Sequence, residues 1–350
     1  MRLLKWKRFP GGLVATIDDV AARAGVSRTT TSRVLNNHPR VDAETRGRVL
    51  QAIAELRYAP SPTARRLSLG RTWTVDLVAS YLTRPQAIER LRGAESVLGD
   101  TAFDLVIHNV ESPERRQRYL RELPASNRTD GVLLVSVPPI SGNLAGLAAG
   151  PVPVVVIDVH GAAADGLPVV RGDDVRGGAL VGRYLFTLGH RAIGFVADSF
   201  ENPYGFTSSR DRYAGFSEVL RDLGIEVEAA LGAHGSRSAR DLAVRLLTGP
   251  RPPSAIFAAS DTQALGVLSA ARDLGLAVPG DLTVVGYDDI SIAEPIGLTT
   301  IRQHLFESGK VGADLLLAEI EQRSTTPPLV VLEPDLVIRT TSAPPKEGRA

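Results

Sequence analysis

Residues 16–36, TIDDVAARAGVSRTTTSRVLN, carry the signals of two short helices joined by a tight turn. Thr16 is suited to cap the first helix, with Asp18 and Asp19 in a first turn that favours negative charge. Gly25 allows a sharp exit, and Ser27 is the residue type to cap the second helix. Val20, Ala24, Val34 and Leu35 form a small apolar face on which two short helices pack at a steep angle. The pattern predicts a helix-turn-helix, whose second helix offers its first turns to the DNA major groove. The exposed residues there would be Arg28, Thr29 and Arg33. Arginine bridges two acceptors on guanine, and threonine donates a hydrogen bond or sets its methyl against thymine. Ser27, Ser32 and Asn36 suit phosphates, which fix register without carrying sequence information.

A third helix is expected next, with Asp42 as its N-cap, Val49, Ile53 and Leu56 at helical spacing, and Tyr58-Ala59-Pro60 as its stop. Charge separates this front from the rest of the chain. Residues 1–72 hold 14 lysines and arginines against 5 acidic residues, a net of +9, whereas the other 278 carry 26 against 34, a net of −8. A basic front on an acidic body suits a protein that holds polyphosphate at one end only. The 350 residues contain no cysteine, which excludes disulfides and thiolate metal sites. No run approaches the roughly 18 to 20 apolar residues of a membrane helix. The first dozen residues are basic but lack a secretion signal's apolar core, so the expected location is the cytoplasm.

The front resembles the headpiece of the lactose/galactose repressor family of bacterial transcription regulators. The resemblance rests on Asp19-Val20-Ala21, Ala24-Gly25-Val26-Ser27 and Ser32-Arg33-Val34-Leu35-Asn36. Thr31 departs from it, standing where the family usually has valine, which is expected to loosen the packing of the second helix. The resemblance implies that residues 1–14 are a disordered extension or a mis-assigned start near Val14, with the headpiece at 15–60. For 61–71 it implies a hinge helix that pairs with its dimer mate in the minor groove, where Ala64 and Leu67 match the family's wedging positions. Ser61 as cap and Pro62 at the first position are compatible with that helix.

From residue 74 short apolar runs alternate with helical patterns. Strands are predicted at 75–80, 104–108, 131–137, 152–159, 192–197, 255–258 and 282–287, and helices at 86–98, 113–123, 175–188, 212–223, 237–247 and 261–274. This is an α/β pattern of two doubly wound parallel sheets, which bind ligands at strand carboxyl ends and in the cleft between domains. The same family resemblance extends through Val155-Val156-Ile157-Asp158, Leu188-Gly189-His190-Arg191, Ile256-Phe257-Ala258-Ala259-Ser260-Asp261 and Val285-Gly286-Tyr287-Asp288-Asp289. It implies an effector-binding and dimerisation domain over 72–342, similar to periplasmic sugar-binding proteins, with crossovers near Gly172, Gln303 and Pro328 and a disordered tail at 343–350.

The resemblance also implies a set of effector-binding residues. Arg212 stands where the family's ligand-gripping arginine stands, and Asp158 and Asp288 lie at strand ends as acceptors for hydroxyls. Ser260 takes a place commonly asparagine, Gln303 lies at a predicted crossover, and His234 occupies a place often given to an aromatic ring. Residues 80–87, SYLTRPQA, depart most. Tyr81 replaces an aspartate, Arg84 an asparagine, and Gln86-Ala87 two phenylalanines, so the pocket is expected to lose ring-stacking surface and to favour a more polar or anionic effector.

Enzyme motifs are missing: there is no His-Glu-x-x-His, Glu307-Ser308-Gly309-Lys310 is not a phosphate loop, and Gly177-Gly178 is only a small-residue helix start. No cofactor or metal is expected. The reading is a repressor that binds a near-palindromic operator as a homodimer under a small carbohydrate-like effector. A dimer rather than a tetramer is expected because the end of the chain lacks heptads. A transport solute-binding protein and a sugar-modifying enzyme are the alternatives.

Overall fold

The computed structural model describes residues 15–58, 71–122, 128–138, 144–159, 166–323 and 329–346. The chain divides after Thr72 into two compact units. The expected extension at 1–14 and the expected hinge residues Ala64 and Leu67 lie outside the described residues.

In the first unit α1 spans Ile17–Ala24, α2 Arg28–Leu35 and α3 Ala43–Leu56. Thr16 and Asp19 form a reciprocal capping box, and Gly25 ends the helix at φ 66° in the left-handed region that favours glycine. Ser27 accepts from the Thr30 N–H, and Asp42 from the Thr45 N–H. Val20, Ala24, Val34, Val49 and Ala52 make the core. Leu35, expected in it, is only half-buried. Thr31 takes the buried place, and its hydroxyl donates to the Ser27 carbonyl at 3.2 Å, which satisfies it inside the helix.

The second unit holds two lobes. In the first, β1 (Thr74–Ser80), β2 (Asp104–Val110), β3 (Gly131–Val135), β4 (Val154–Ile157), β5 (Val169–Gly172) and β11 (Leu329–Leu332) form one parallel sheet in the order β11-β5-β4-β3-β1-β2. Alternate residues serve opposite faces: Val75, Leu77 and Ala79 join one core, Val78 the other. The helices α4 (Pro85–Leu98) and α11 (Leu305–Ile320) cover the first face, and α5 (Pro113–Glu122) and α6 (Leu144–Ala148) the second. In the second lobe, β6 (Ile193–Asp198), β7 (Val227–Gly232), β8 (Ala255–Ala258) and β9 (Thr283–Val285) form a parallel sheet in the order β7-β6-β8-β9. It lies between α7 (Asp174–Leu188) with α8 (Ser208–Asp222), and α9 (Ser236–Leu247) with α10 (Asp261–Asp273). A two-stranded antiparallel sheet of β10 (Thr300–Arg302) and β12 (Asp335–Val337) sits at the crossings.

The chain passes between lobes after Gly172, at Gln303–His304, and a third time at Glu333–Pro334. The third passage corrects the expected position near 328: β11 pairs in parallel with β5 through Leu332 and Gly172, so the chain is still in the first lobe there. The tail also needs correction, since residues 343–346 are fastened to the second lobe. The Ala343 carbonyl accepts from the Thr283 hydroxyl at 2.9 Å, and Lys346 Nζ reaches Asp281 at 2.6 Å. No helix among the described residues is long and apolar enough to cross a membrane.

Candidate functional site

The expected site residues fall in two sets, one on the surface of α2 and one around a cavity. On α2, Arg28, Thr29 and Arg33 are exposed, as are Ser27 and Asn36, while Ser32 is half-buried. Among the described residues Arg28 has a loose ion pair with Asp18, at 3.7 Å between exposed side chains, and such a pair is readily exchanged for a better partner. Ser27 is already used as the helix cap, its hydroxyl lying 2.9 Å from that of Thr30.

The second set lines a cavity of about 440 Å³ between the lobes. All eight expected residues, Tyr81, Arg84, Asp158, Arg212, His234, Ser260, Asp288 and Gln303, border it. Parallel strands end here, and the chain turns sharply as it leaves them. Tyr81 (φ 54°), Ser136 (51°), Asp158 (63°) and Asp288 (122°) all adopt positive φ, which is uncommon for residues other than glycine.

Most polar groups in the cavity are tied to one another. Arg90 Nη2 contacts Asp158 at 2.9 Å and donates to Gln303 Oε1 at 3.2 Å. Gln303 Nε2 donates in turn to Asp288 at 2.5 Å, and Gln86 Nε2 to the other oxygen of Asp288 at 2.5 Å. Arg212 lies 3.7 Å from Asp288, donates to Asp174 at 2.9 Å and to the Ala259 carbonyl at 2.6 Å, and stacks on Tyr287 at 3.8 Å. A continuous line, Asp158–Arg90–Gln303–Asp288–Arg212–Asp174, therefore runs from lobe to lobe. Burial opposes the charge on Arg212, but Asp174, Tyr287 and Asp288 outweigh it and hold the guanidinium above its ordinary range. Burial pushes Asp288 up to about 6, against the pull of Arg212 and the two glutamines.

Ser260 acts first as the cap of α10, accepting from the Gln263 N–H at 3.2 Å. His234 has a definite partner: its Nδ1 lies 3.1 Å from both oxygens of Asp198, which also accepts from Gln263 Nε2 at 2.8 Å.

The expected loss of ring surface is corrected. Tyr81 stands edge-on to Tyr204 at 5.1 Å, and Tyr204 stacks on Phe206 at 5.5 Å, so the second lobe supplies rings where 86–87 supply none. Asn202 shapes this loop by accepting from the N–H groups of Tyr204 and Phe206. The loop also bridges to the first lobe, where Arg116 donates to the Tyr204 carbonyl and the Tyr204 hydroxyl donates to the Glu111 carbonyl.

Sequence reasoning missed Arg90, Asp198 and the 200–206 loop as site residues. Gln86 and Arg90 lie four apart on one helix face, a readable signal. Asp198 ends β6, a position of the same kind as Asp158 and Asp288.

Residues 16–61 match the family model described as "Bacterial regulatory proteins, lacI family", and residues 183–342 match the "Periplasmic binding protein-like domain". The "HTH-type transcriptional repressor PurR" of Escherichia coli O139:H28 (strain E24377A / ETEC) is 33% identical over 336 residues, which are 94% of this chain and 97% of that protein. The chain belongs to the lacI family of bacterial regulatory proteins. Solved structures of lacI-family type agree with the fold. The lac repressor dimer bound to operator and the anti-inducer ONPF gives a TM-score of 0.82 at 29% identity, covering 95% of this chain and 100% of that one. The transcriptional regulator CelR in complex with cellobiose gives 0.69 at 31%, covering 94% and 100%. As a lacI-family member the chain is a regulatory protein and not an enzyme.

Proposed function

We propose that this chain is a homodimeric transcriptional repressor, acting in the cytoplasm, that binds a near-palindromic operator and is controlled by a small carbohydrate-like effector in the interlobe cavity. The observation that carries this reading is the capped helix α2 with Arg28, Thr29 and Arg33 exposed, in one chain with a cavity lined by the carboxyl ends of two parallel sheets. In this reading 15–60 is the DNA-binding headpiece and 61–71 a hinge whose Ala64 and Leu67 enter the minor groove. Residues 72–342 bind the effector through Tyr81, Arg84, Asp158, Arg212, His234, Ser260, Asp288 and Gln303. Arg28, Thr29 and Arg33 read base edges, and Ser27, Ser32 and Asn36 hold phosphates. Effector binding alters the interlobe line of ion pairs, and the lobe angle in the dimer biases the hinge, so ligand and operator share one equilibrium.

The test is selection of duplexes from a random pool by the purified full chain. Enrichment of a near-palindrome whose affinity falls steeply with salt is the expected outcome. A pool that stays unenriched at moderate salt removes the reading and brings back a solute-binding protein.

A further inference from the structure

The cavity's charges are unevenly matched. Asp158 faces Arg90 and Ser136, Asp198 faces His234 and Gln263, and Asp288 faces Arg212 with two glutamines. Arg84 differs. It is half-buried, it lies 4.1 Å over the ring of Tyr81, and among the described residues its guanidinium has no hydrogen bond and no ion pair. Burial lowers its pKa, the mark of a cation whose lost water is not replaced by a partner.

A second, independent set of unused groups lies close along the chain. Ser80 is buried with its hydroxyl unpartnered, and Gln86 Oε1 and Arg90 Nε are likewise buried without a partner. Buried polar atoms are ordinarily hydrogen-bonded, so these three, closed off in the first-lobe wall of the cavity, are groups that a small side-chain shift would turn toward a ligand that completes them. A ligand fitting both observations carries an anionic group for the Arg84 fork and hydroxyls that both donate and accept for Ser80, Gln86 and Arg90. Asp198 is the carboxylate that Arg84 senses most strongly, so a second negative charge on the ligand is disfavoured.

We propose that the cavity takes a polyhydroxylated monocarboxylate, a sugar acid, held with its carboxylate on Arg84 beside Tyr81 and its hydroxyls on Ser80, Gln86 and Arg90. This rests on the carbohydrate-like effector proposed above and gives it a charge. Arg84 is then the residue that separates acids from neutral sugars.

The experiment is calorimetry on the full chain with D-glucuronate, D-galacturonate and D-gluconate, set against D-glucose, D-galactose and glucose 6-phosphate, at low and high salt. At least one acid should bind and weaken with salt. It should lose about tenfold or more in Arg84→Gln, as expected when a charge-assisted hydrogen bond is removed. Arg84→Lys should recover part of the loss, because it keeps the charge without the fork. A neutral sugar binding as tightly as its acid, tighter binding of the phosphate, an acid indifferent to Arg84→Gln, or no binding by any acid overturns the proposal. Binding of a neutral sugar leaves the repressor reading standing. Failure of the duplex selection removes that reading and leaves the calorimetric result intact.

Discussion

At the scale of the residue, Thr31 shows how a polar group lives with full burial. Its hydroxyl donates to the Ser27 carbonyl, which already accepts from the Thr31 N–H at 3.0 Å. Removing the hydroxyl therefore leaves no orphan. Thr31→Val is expected to change headpiece stability by less than about 1 kcal/mol, the lost bond being offset by apolar burial. Chemical unfolding measures it, and a loss above about 2 kcal/mol would show that the hydroxyl holds the helix in place. Arg28 is the opposite case, exposed and, among the described residues, paired loosely with Asp18. Arg28→Ala should relax base preference at one half-site position by about 1 to 3 kcal/mol and leave non-specific affinity nearly unchanged. A uniform loss across all sequences would make it a phosphate contact instead.

At the scale of the element, two helix pairs cross through glycine. A Cβ at Gly309 would overlap the Arg90 carbonyl oxygen, and one at Gly93 the Phe306 carbonyl oxygen; Gly178 and Gly215 face Arg212 and Val175 in the same way. Backbone lies against backbone at these crossings, so neither side can yield. Gly309→Ala should cost at least about 1 to 3 kcal/mol through overpacking. Gly47 in α3 is exposed, with nothing within 4 Å of its added Cβ, and Gly47→Ala should stabilise the headpiece by about 0.5 to 1 kcal/mol. Urea midpoints of both variants check this, and a neutral Gly309→Ala would mean the crossing is looser than drawn.

These glycines also explain what the sequence hid. The first lobe's α11 buries Leu305, Ala313, Leu316 and Ile320, yet Gly309 and Gly312 break up its pattern, so no helix was expected there. Strands β5, β10 and β12 are short and include Arg171, Arg302 and Asp335, which leave no continuous apolar run to read. Caps and the long buried strands were legible because one residue type at one place satisfies each. That Asp158 and Asp288 stand at strand ends bordering the cavity was legible for the same reason. The ring wall of the 200–206 loop was not, because it is assembled from a neighbouring lobe and fixed by contacts to Glu111 and Arg116 far away in sequence.

At the scale of the whole molecule, acid should act on buried His190 in one direction and on the buried pair Asp288 and Asp261 in the other. His190 is 1% exposed; its Nε2 donates to the Ala343 carbonyl at 3.0 Å, and Nδ1 accepts from the Ser254 hydroxyl at 2.9 Å. Burial lowers its pKa from 6.5, so the unfolded chain takes up the proton first. That contribution is complete above pH 6.5 and is lost as pH falls through the lowered native value. Asp288 runs the other way: the native state protonates first, so its contribution rises as pH falls from about 6 toward 3.8. In His190→Gln, whose amide still donates, the loss that sets in below pH 6.5 should vanish and leave the rise from Asp288 and Asp261 exposed. Unfolding midpoints on both sides of that pH decide it, and an unchanged slope would assign the loss to other groups.

The pairing of β11 with β5 fixes an order of events during synthesis. The first lobe needs α11 and β11, so its sheet stays incomplete until the ribosome has passed residue 332. The headpiece has its own core, complete by Leu56. At about 5 to 20 residues per second, a nascent chain therefore carries a finished headpiece for about 14 to 55 seconds before the first lobe can close around its cavity. A message truncated before residue 305 would release that headpiece on a body lacking the helix and edge strand that complete its first lobe. Such a fragment would keep the exposed Arg28, Thr29 and Arg33 and lose the complete interlobe cavity.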